Sequence, residues 1–181
     1  RDHMGGVDAV VHLAGESVAA RRWSEAQKRR ILESRVNSTR ALVTAMGEAK
    51  RKPGVLVCAS AVGFYGDTGA RQVDEDAPAG TDFLAQVCAA WEAAAATVEA
   101  YGIRRVSVRL GVVLAREGGA LQKLLPVFKA GLGGKLGSGT QGFPWIHVDD
   151  AVGLLVHAVD TAAMVGPLNA VAPALDTNAD F

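Results

Sequence analysis

The chain alternates between short, almost wholly apolar runs and longer stretches in which apolar residues recur at helical spacing. Val7-Asp8-Ala9-Val10-Val11-His12-Leu13-Ala14-Gly15 opens the pattern. A short run of β-branched residues bounded by glycine, apolar on both faces rather than alternating, fits a central strand of a parallel sheet. Val55-Leu56-Val57-Cys58-Ala59-Ser60-Ala61 and the segment from Arg105 to Leu114 repeat the design. Each run closes on small residues, and in open α/β sheets the carboxyl ends of the strands are where ligands bind. Three such tips side by side would line one crevice.

Helices are expected between these runs. Ser24 followed three residues later by Gln27 has the form of a capping box and predicts a helix start. Leu32, Val36, Val43 and Met46 then share one helical face, and the helix should end near Ala49, before Lys50-Arg51-Lys52-Pro53-Gly54. Gly63 to Gly80 reads as a long loop with Tyr65-Gly66-Asp67 and the acidic cluster Asp74-Glu75-Asp76; loops of that length inside a compact domain are usually functional. Asp82 is placed to cap a second helix reaching about Tyr101, with Gly102 as its left-handed terminator. Further on, the pattern predicts a helix over 120–130, a glycine-rich run over 131–142, and a short strand over 144–148. Asp149 then reads as the cap of a helix over 151–159, and Leu168 to Val171 as a last short strand. This alternation predicts one α/β domain over residues 1–181, a Rossmann-like parallel sheet with flanking helices.

Composition narrows the partners. With 181 residues and 49% of them apolar, the chain can bury a substantial core. Nineteen Lys and Arg balance nineteen Asp and Glu, so no net field draws it to nucleic acid or to a membrane surface. A small-molecule partner is expected. The apolar runs are of strand length, too short for a membrane helix. Cys58 and Cys88 form no CxxC pattern and read as reduced packing thiols of a cytoplasmic protein.

Several local patterns suggest chemistry that their neighbours do not support. The run Gly131 to Gly139 misses a phosphate-loop pattern at Lys129 and Leu136, and misses the dinucleotide GxGxxG pattern at Leu136; a loop over a site is the better reading. Ser60 lacks a GxSxG elbow. His147 with Asp149 and Asp150 offers metal-ligand types on one short segment with no second cluster, so no metal is expected. His12 reads as a core histidine. Trp23, Tyr65, Phe143 and Trp145 are candidates to wall a pocket for an apolar or ring-bearing substrate.

Taken together, certain segments resemble a known family. They are Asp8 to Glu16, Arg21-Arg22-Trp23, Ser34 to Arg40, Ala59 to Gly66, Trp91-Glu92-Ala93-Ala94, Leu132-Gly133-Gly134, Gly137-Ser138-Gly139, Pro144 to His147 and Asn169 to Pro173. The chain is similar over nearly its whole length to the epimerase-like atypical branch of the short-chain dehydrogenase/reductase superfamily, the NAD(P)-dependent epimerase/dehydratase family. The resemblance implies a Rossmann fold, NADP as cofactor with NAD as the alternative, and an oxidoreductase or sugar-nucleotide epimerase acting on a small, nucleotide-linked molecule. Matching positions would set Leu13, Ala14 and Gly15 against the cofactor. Arg35 would reach it from the next helix, Ser60 and Ala61 would lie under the nicotinamide, and Val113 would close over it.

Two departures shape the expectation. No glycine-rich pyrophosphate turn of the family precedes the first strand, so the sequence reads as a fragment lacking the first strands. Its exposed sheet edge would be covered by missing chain or by a second copy. The superfamily's Tyr-x3-Lys pair falls on Leu84 and Cys88, so proton transfer would need another group: Tyr65, then Ser60, then His147. A non-catalytic protein that binds or senses NADP(H) and works through partners is the alternative reading, and a structural half-domain pairing through its edge is a third.

Overall fold

The computed structural model describes residues 4–69, 71–135, 137–173 and 176–181, with Lys123 described by its backbone alone. Leu136, on which both glycine-loop patterns fail, lies outside the described residues. In chain order the elements are β1 (Ala9–His12), α1 (Glu25–Glu48), β2 (Val55–Ala61), a 3-10 turn (Val62–Tyr65) and α2 (Phe83–Ala96) with a 3-10 extension (Thr97–Tyr101). There follow β3 (Arg104–Leu110), β4 (Val112–Ala115), α3 (Gly119–Lys129), β5 (Trp145–His147), α4 (Val148–Asp160) and β6 (Gly166–Ala170).

The predicted parallel sheet is present, with strand order β1-β2-β3-β6 and every pairing parallel. Helices lie on both faces. On one side α1 and α2 cover the sheet, with Val43, Met46, Trp91 and Ala95 packed on Leu56 and Cys58. On the other α4 does so, with Ala151 and Ala158 against Val55, Val57, Val106 and Val108. The result is a three-layer α/β/α sandwich. Trp91 Nε1 donates to Thr39 Oγ1 at 3.0 Å, tying α2 to α1 inside the first layer.

Local chemistry sets the element ends. Ser24 caps α1 by accepting from Gln27 N at 3.2 Å, but the reciprocal half of a capping box is not made: the Gln27 amide instead donates to Glu16 Oε1 at 3.3 Å. Asp82 caps α2 through Ala85 N, and Gly102, at φ 74°, ends the helical segment in the left-handed region. Arg104 Nη1 and Nη2 donate to the carbonyls of Ala158, Val159 and Met164, which satisfies the C-terminal end of α4 from a neighbouring strand. Three expectations change. The buried face of α1 runs through Ile31 rather than Leu32, which is only half-buried. The cap of α4 is His147, whose Nδ1 accepts from Asp149 N, and Asp149 lies in the first turn. The strand expected from Arg105 to Leu114 is two strands.

That last break occurs at Gly111. Its N–H still pairs with Ala170 of β6, whereas the next residue, Val112, donates to Pro144 O and starts a separate two-stranded sheet of β4 and β5. A Cβ on Gly111 would stand 2.7 Å from Pro144 O and 3.0 Å from its carbonyl carbon. Backbone, rather than a flexible side chain, is in the way. Gly111→Ala should therefore destabilise the protein by about 1–3 kcal/mol, seen as a lowered midpoint in thermal denaturation; an unchanged midpoint would show that β4 can move aside without cost.

Candidate functional site

Because the four strands run parallel, their carboxyl ends gather at one edge. The pairings His12 with Cys58, Ala61 with Leu110, and Leu110 with Ala170 bring the tip of each strand to the same end of the sheet. Past β1 the tip is open: Leu13, Ala14 and Gly15 are exposed. On the neighbouring β2, Ala61 is half-buried at the strand end and Ser60, one position before it, is buried; Val113, on β4, is half-buried.

Arg35 on α1 folds against this tip. A Cβ on Gly15 would lie 2.9 Å from the Arg35 guanidinium carbon, so in this arrangement the Arg35 side chain occupies the space that a side chain at position 15 would take. Arg35 Nη1 donates to Glu16 O and Ile31 O at 2.9 and 3.1 Å, and the guanidinium stands 5.0 Å from the Trp91 ring centroid. Its Nε and Nη2 make no hydrogen bond among the described residues. Burial lowers the Arg35 pKa, with Cys88 and Glu16 acting in the opposite sense. A concavity lined by Glu16, Arg30, Glu33, Ser34 and Asn37 continues from this tip along α1.

Directly below the tips lies a polar network that connects β2, β3, β6, α2 and the 3-10 turn. The row Ser60, Arg109, Asn169 runs across β2, β3 and β6 in register. Arg109 Nε and Nη2 donate to Glu92 Oε1 and Oε2 of α2, each at 2.9 Å. Ser60 Oγ donates to the same Glu92 Oε1 at 2.6 Å. Arg109 Nη1 donates to Tyr65 Oη at 2.9 Å, and Tyr65 Oη in turn donates to Asn169 Oδ1 at 2.6 Å. The Phe64 ring lies 3.6 Å from the guanidinium carbon. Burial alone would lower the Arg109 pKa; hydrogen bonds and charge from Glu92 and Tyr65 more than reverse this, and it is raised. Ser60, its one proton directed to Glu92, can only accept from a ligand, and Tyr65 has both sides of its hydroxyl engaged.

The other expected site residues fall into separate groups. His147 is exposed at the end of β5, where its ring contacts Asp149, and no hydrogen bond links it to Ser60 or Tyr65 among the described residues. Trp23 packs edge-on against Phe83 and donates to Val18 O. Phe143 stacks on Phe181 at 4.4 Å, and Trp145 donates to Asp176 Oδ2. Tyr65 belongs to the buried network. Among the described residues no three His, Cys, Asp or Glu side chains are grouped to hold a metal ion.

On α2, Leu84 is half-buried and Cys88 buried. Burial pushes the Cys88 thiol up, with the nearby Ala61 and Ser60 acting in the opposite sense; Cys58 is pushed up to about 12 by burial. Neither is a thiolate at neutral pH. Sequence reasoning missed Glu92 and Glu75 as partners of Arg109, and Asn169 as the residue that Tyr65 and Glu75 bond in the same network. The signal was Arg109 itself, a cation in a strand of buried apolar residues, which requires a carboxylate within reach.

Two outcomes test this account. Glu92→Ala leaves Arg109 buried without its bidentate partner and should cost about 3–5 kcal/mol in chemical denaturation, with Glu92→Gln costing clearly less; equal losses would mean the charge is irrelevant. Burial lowers the His12 pKa, while its Nε2 lies 3.3 Å from Ser38 Oγ. The unfolded chain then binds the extra proton first. Stability should be full above about pH 6.5 and fall as pH drops from there through the lowered value, and His12→Asn should flatten that stretch of the urea-midpoint curve.

The comparisons agree with this geometry. An epimerase family protein of Mycobacterium bovis is 46% identical over 175 residues, which is 97% of this chain and 58% of the relative. The crystal structure of human epimerase family protein SDR39U1 (isoform 2) with NADPH superposes with a TM-score of 0.89 at 41% identity, covering 96% of this chain and 59% of that one. A nucleoside-diphosphate sugar epimerase from Corynebacterium glutamicum gives 0.88 at 41% identity, covering 99% and 37%. The chain thus spans just under three fifths of the curated relative's length. A family model matches residues 2–170, and with it the parallel sheet and the match to these relatives establish that the chain belongs to the NAD dependent epimerase/dehydratase family.

Proposed function

We propose that the protein binds NADP(H) across the tips of β1, β2 and β4 and works as an oxidoreductase or sugar-nucleotide epimerase-like protein on a small molecule. The observation that carries this is the Gly15–Arg35 contact: a guanidinium packed on a glycine, with no hydrogen bond from its Nε or Nη2 among the described residues, beside an exposed strand tip. Such a pair can accept an anionic group bidentately. The human relative at 41% identity was crystallised with NADPH, which favours NADP over NAD.

In this reading Leu13, Ala14 and Gly15 present bare backbone to the dinucleotide, Arg35 meets its negative charge, Ala61 and the backbone of Ser60 underlie the nicotinamide end, and Val113 closes from β4. A bound nicotinamide supplies hydride exchange. The chain's own part is binding, orientation and a proton at the substrate. For that proton Tyr65, Ser60 and His147 are the proposed candidates: His147 is exposed to solvent, whereas Tyr65 and Ser60, whose protons go to Asn169 and Glu92, would have to break those hydrogen bonds to give a proton to substrate. Trp23, Phe143 and Trp145 would serve the substrate only if it extends over their separate surfaces.

A second reading, a non-catalytic protein that binds NADP(H) and acts through partners, is favoured by Leu84 and Cys88 standing where the superfamily has its Tyr and Lys. Among the described residues no helix is long and apolar enough to cross a membrane, consistent with the proposed cytoplasmic location. The outer edge of β1 has no strand partner among the described residues, and Val11 is exposed on its α4-side face; this is where further chain or a second copy would add a strand.

Titrating the full-length protein with NADPH while following tryptophan fluorescence should give saturable binding, weakened about tenfold by Arg35→Ala. Absence of binding at millimolar cofactor would remove both readings. Tight binding with no turnover across a panel of sugar nucleotides and carbonyl compounds would select the second, and turnover abolished by Tyr65→Phe would select the first.

A further inference from the structure

We propose that Arg109 is a positioning residue: through Glu92, Tyr65 and Glu75 it fixes the loop segment 71–80 against the strand tips, and this attachment sets the affinity of the cofactor site. The inference rests on the NADP(H) reading above and adds a part of the chain that would not itself touch the cofactor.

The loop is closed at its neck. Gly80 N donates to Phe64 O at 2.8 Å, and a Cβ on Gly80 would lie 2.7 Å from Tyr65 O and 2.8 Å from Gly66 Cα. The two ends therefore touch, as in a compact Ω-loop. Closure of the neck does not by itself decide where the body of the loop lies. Glu75 decides it. Its carbonyl accepts from Arg109 Nη1 at 3.1 Å, and its carboxylate Oε1 accepts from the backbone N–H of Asn169, at the tip of β6, at 2.7 Å. Tyr65, at the root of the loop, is bonded to the same two residues.

A single guanidinium thus holds helix, loop and strands at once. Its Nε and Nη2 fork is filled by Glu92, which also receives the Ser60 hydroxyl, and its Nη1 serves Tyr65 and Glu75. The planar fork of arginine makes these contacts simultaneously, and an ammonium cannot. Ser60, Arg109 and Asn169 precede the tip residues Ala61, Leu110 and Ala170 by one position in each strand. Freedom gained in this row passes directly to the tips, and a binding surface that must be ordered on contact binds more weakly than one already fixed.

The test uses the full-length protein and two readouts. Arg71 is exposed in the loop, so tryptic cleavage after it reports how often the loop leaves the sheet; NADPH affinity reports the site. Glu75→Ala, Tyr65→Phe and Arg109→Lys should each speed that cleavage by about tenfold and weaken NADPH by about fivefold or more. Glu75→Gln, which keeps an oxygen for Asn169 N–H, should restore both. Glu75 lies outside the core, so Glu75→Ala decides the matter should Arg109→Lys fail to fold. Cleavage unchanged in Glu75→Ala, or faster cleavage with NADPH affinity within about twofold of the parent, would overturn the proposal. A parent protein that binds no NADPH would remove the cofactor reading and this inference with it, an outcome distinguished by the silence of the unsubstituted chain.

Discussion

A buried guanidinium obliges the structure around it. Arg109 sits in the middle of the sheet with its side chain almost entirely out of solvent, where an unpaired cation would be too costly to keep. Glu92 answers it from α2 with both carboxylate oxygens, fixing the helix in rotation and height relative to β3. The pair does not make the fold more stable than an apolar pair of equal volume would, because both charges are stripped of water to form it. What it adds is direction. Apolar contacts such as Trp91 and Ala95 on Leu56 and Cys58 tolerate small slips of α2 along the sheet, whereas a bidentate ion pair with a serine hydroxyl on one oxygen permits one position.

The same constraint explains which parts of the molecule were legible in the sequence. Capping residues act over three or four positions, so Ser24, Asp82 and Gly102 could be read directly, and the strands announced themselves by apolar runs. The errors arose where a neighbour distant in sequence decides. Nothing within Arg105 to Leu114 says that the chain must leave one sheet for another; the reason is Pro144, whose carbonyl takes the N–H of Val112 and leaves Gly111 no room for a side chain. Ile31 and Leu32 are adjacent apolar residues on one helix, and which of them faces the sheet depends on the helix rotation that packing against α2 sets. His147 replaced Asp149 as a cap because β5 ends there, a fact set by its pairing with β4.

The site divides in the same way. Its upper layer, the small residues at the strand tips, follows from strand composition and the rule for parallel sheets, and in the structure Gly15, next to Leu13 and Ala14 in the chain, lies against Arg35. Its lower layer joins residues up to 104 positions apart and has no local pattern. Only the anomaly of a charge in a buried strand pointed to it. Neither layer names a cofactor: an exposed glycine tip beside a guanidinium whose Nε and Nη2 make no hydrogen bond among the described residues suits several anionic ligands, and the proposal of a dinucleotide leans on family resemblance and on a relative crystallised with NADPH.

Binding and chemistry are therefore separable in this chain. The surface that would hold a dinucleotide depends on backbone, on Arg35 and on the Glu92–Arg109 frame, none of which passes a proton. The helix that in the superfamily carries the proton-transfer pair keeps Glu92, its tie to the sheet, while presenting Leu84 and a buried Cys88 thiol pushed up by burial. Leucine has no proton to give, and a neutral thiol whose neighbours are Ser60 and Ala61 is part of the packing. An α2 that retains its structural charge and lacks its reactive groups leaves the scaffold intact without a proton source of its own. Any chemistry must then draw its proton from a group outside α2, and a ligand could be held equally well without reacting at all.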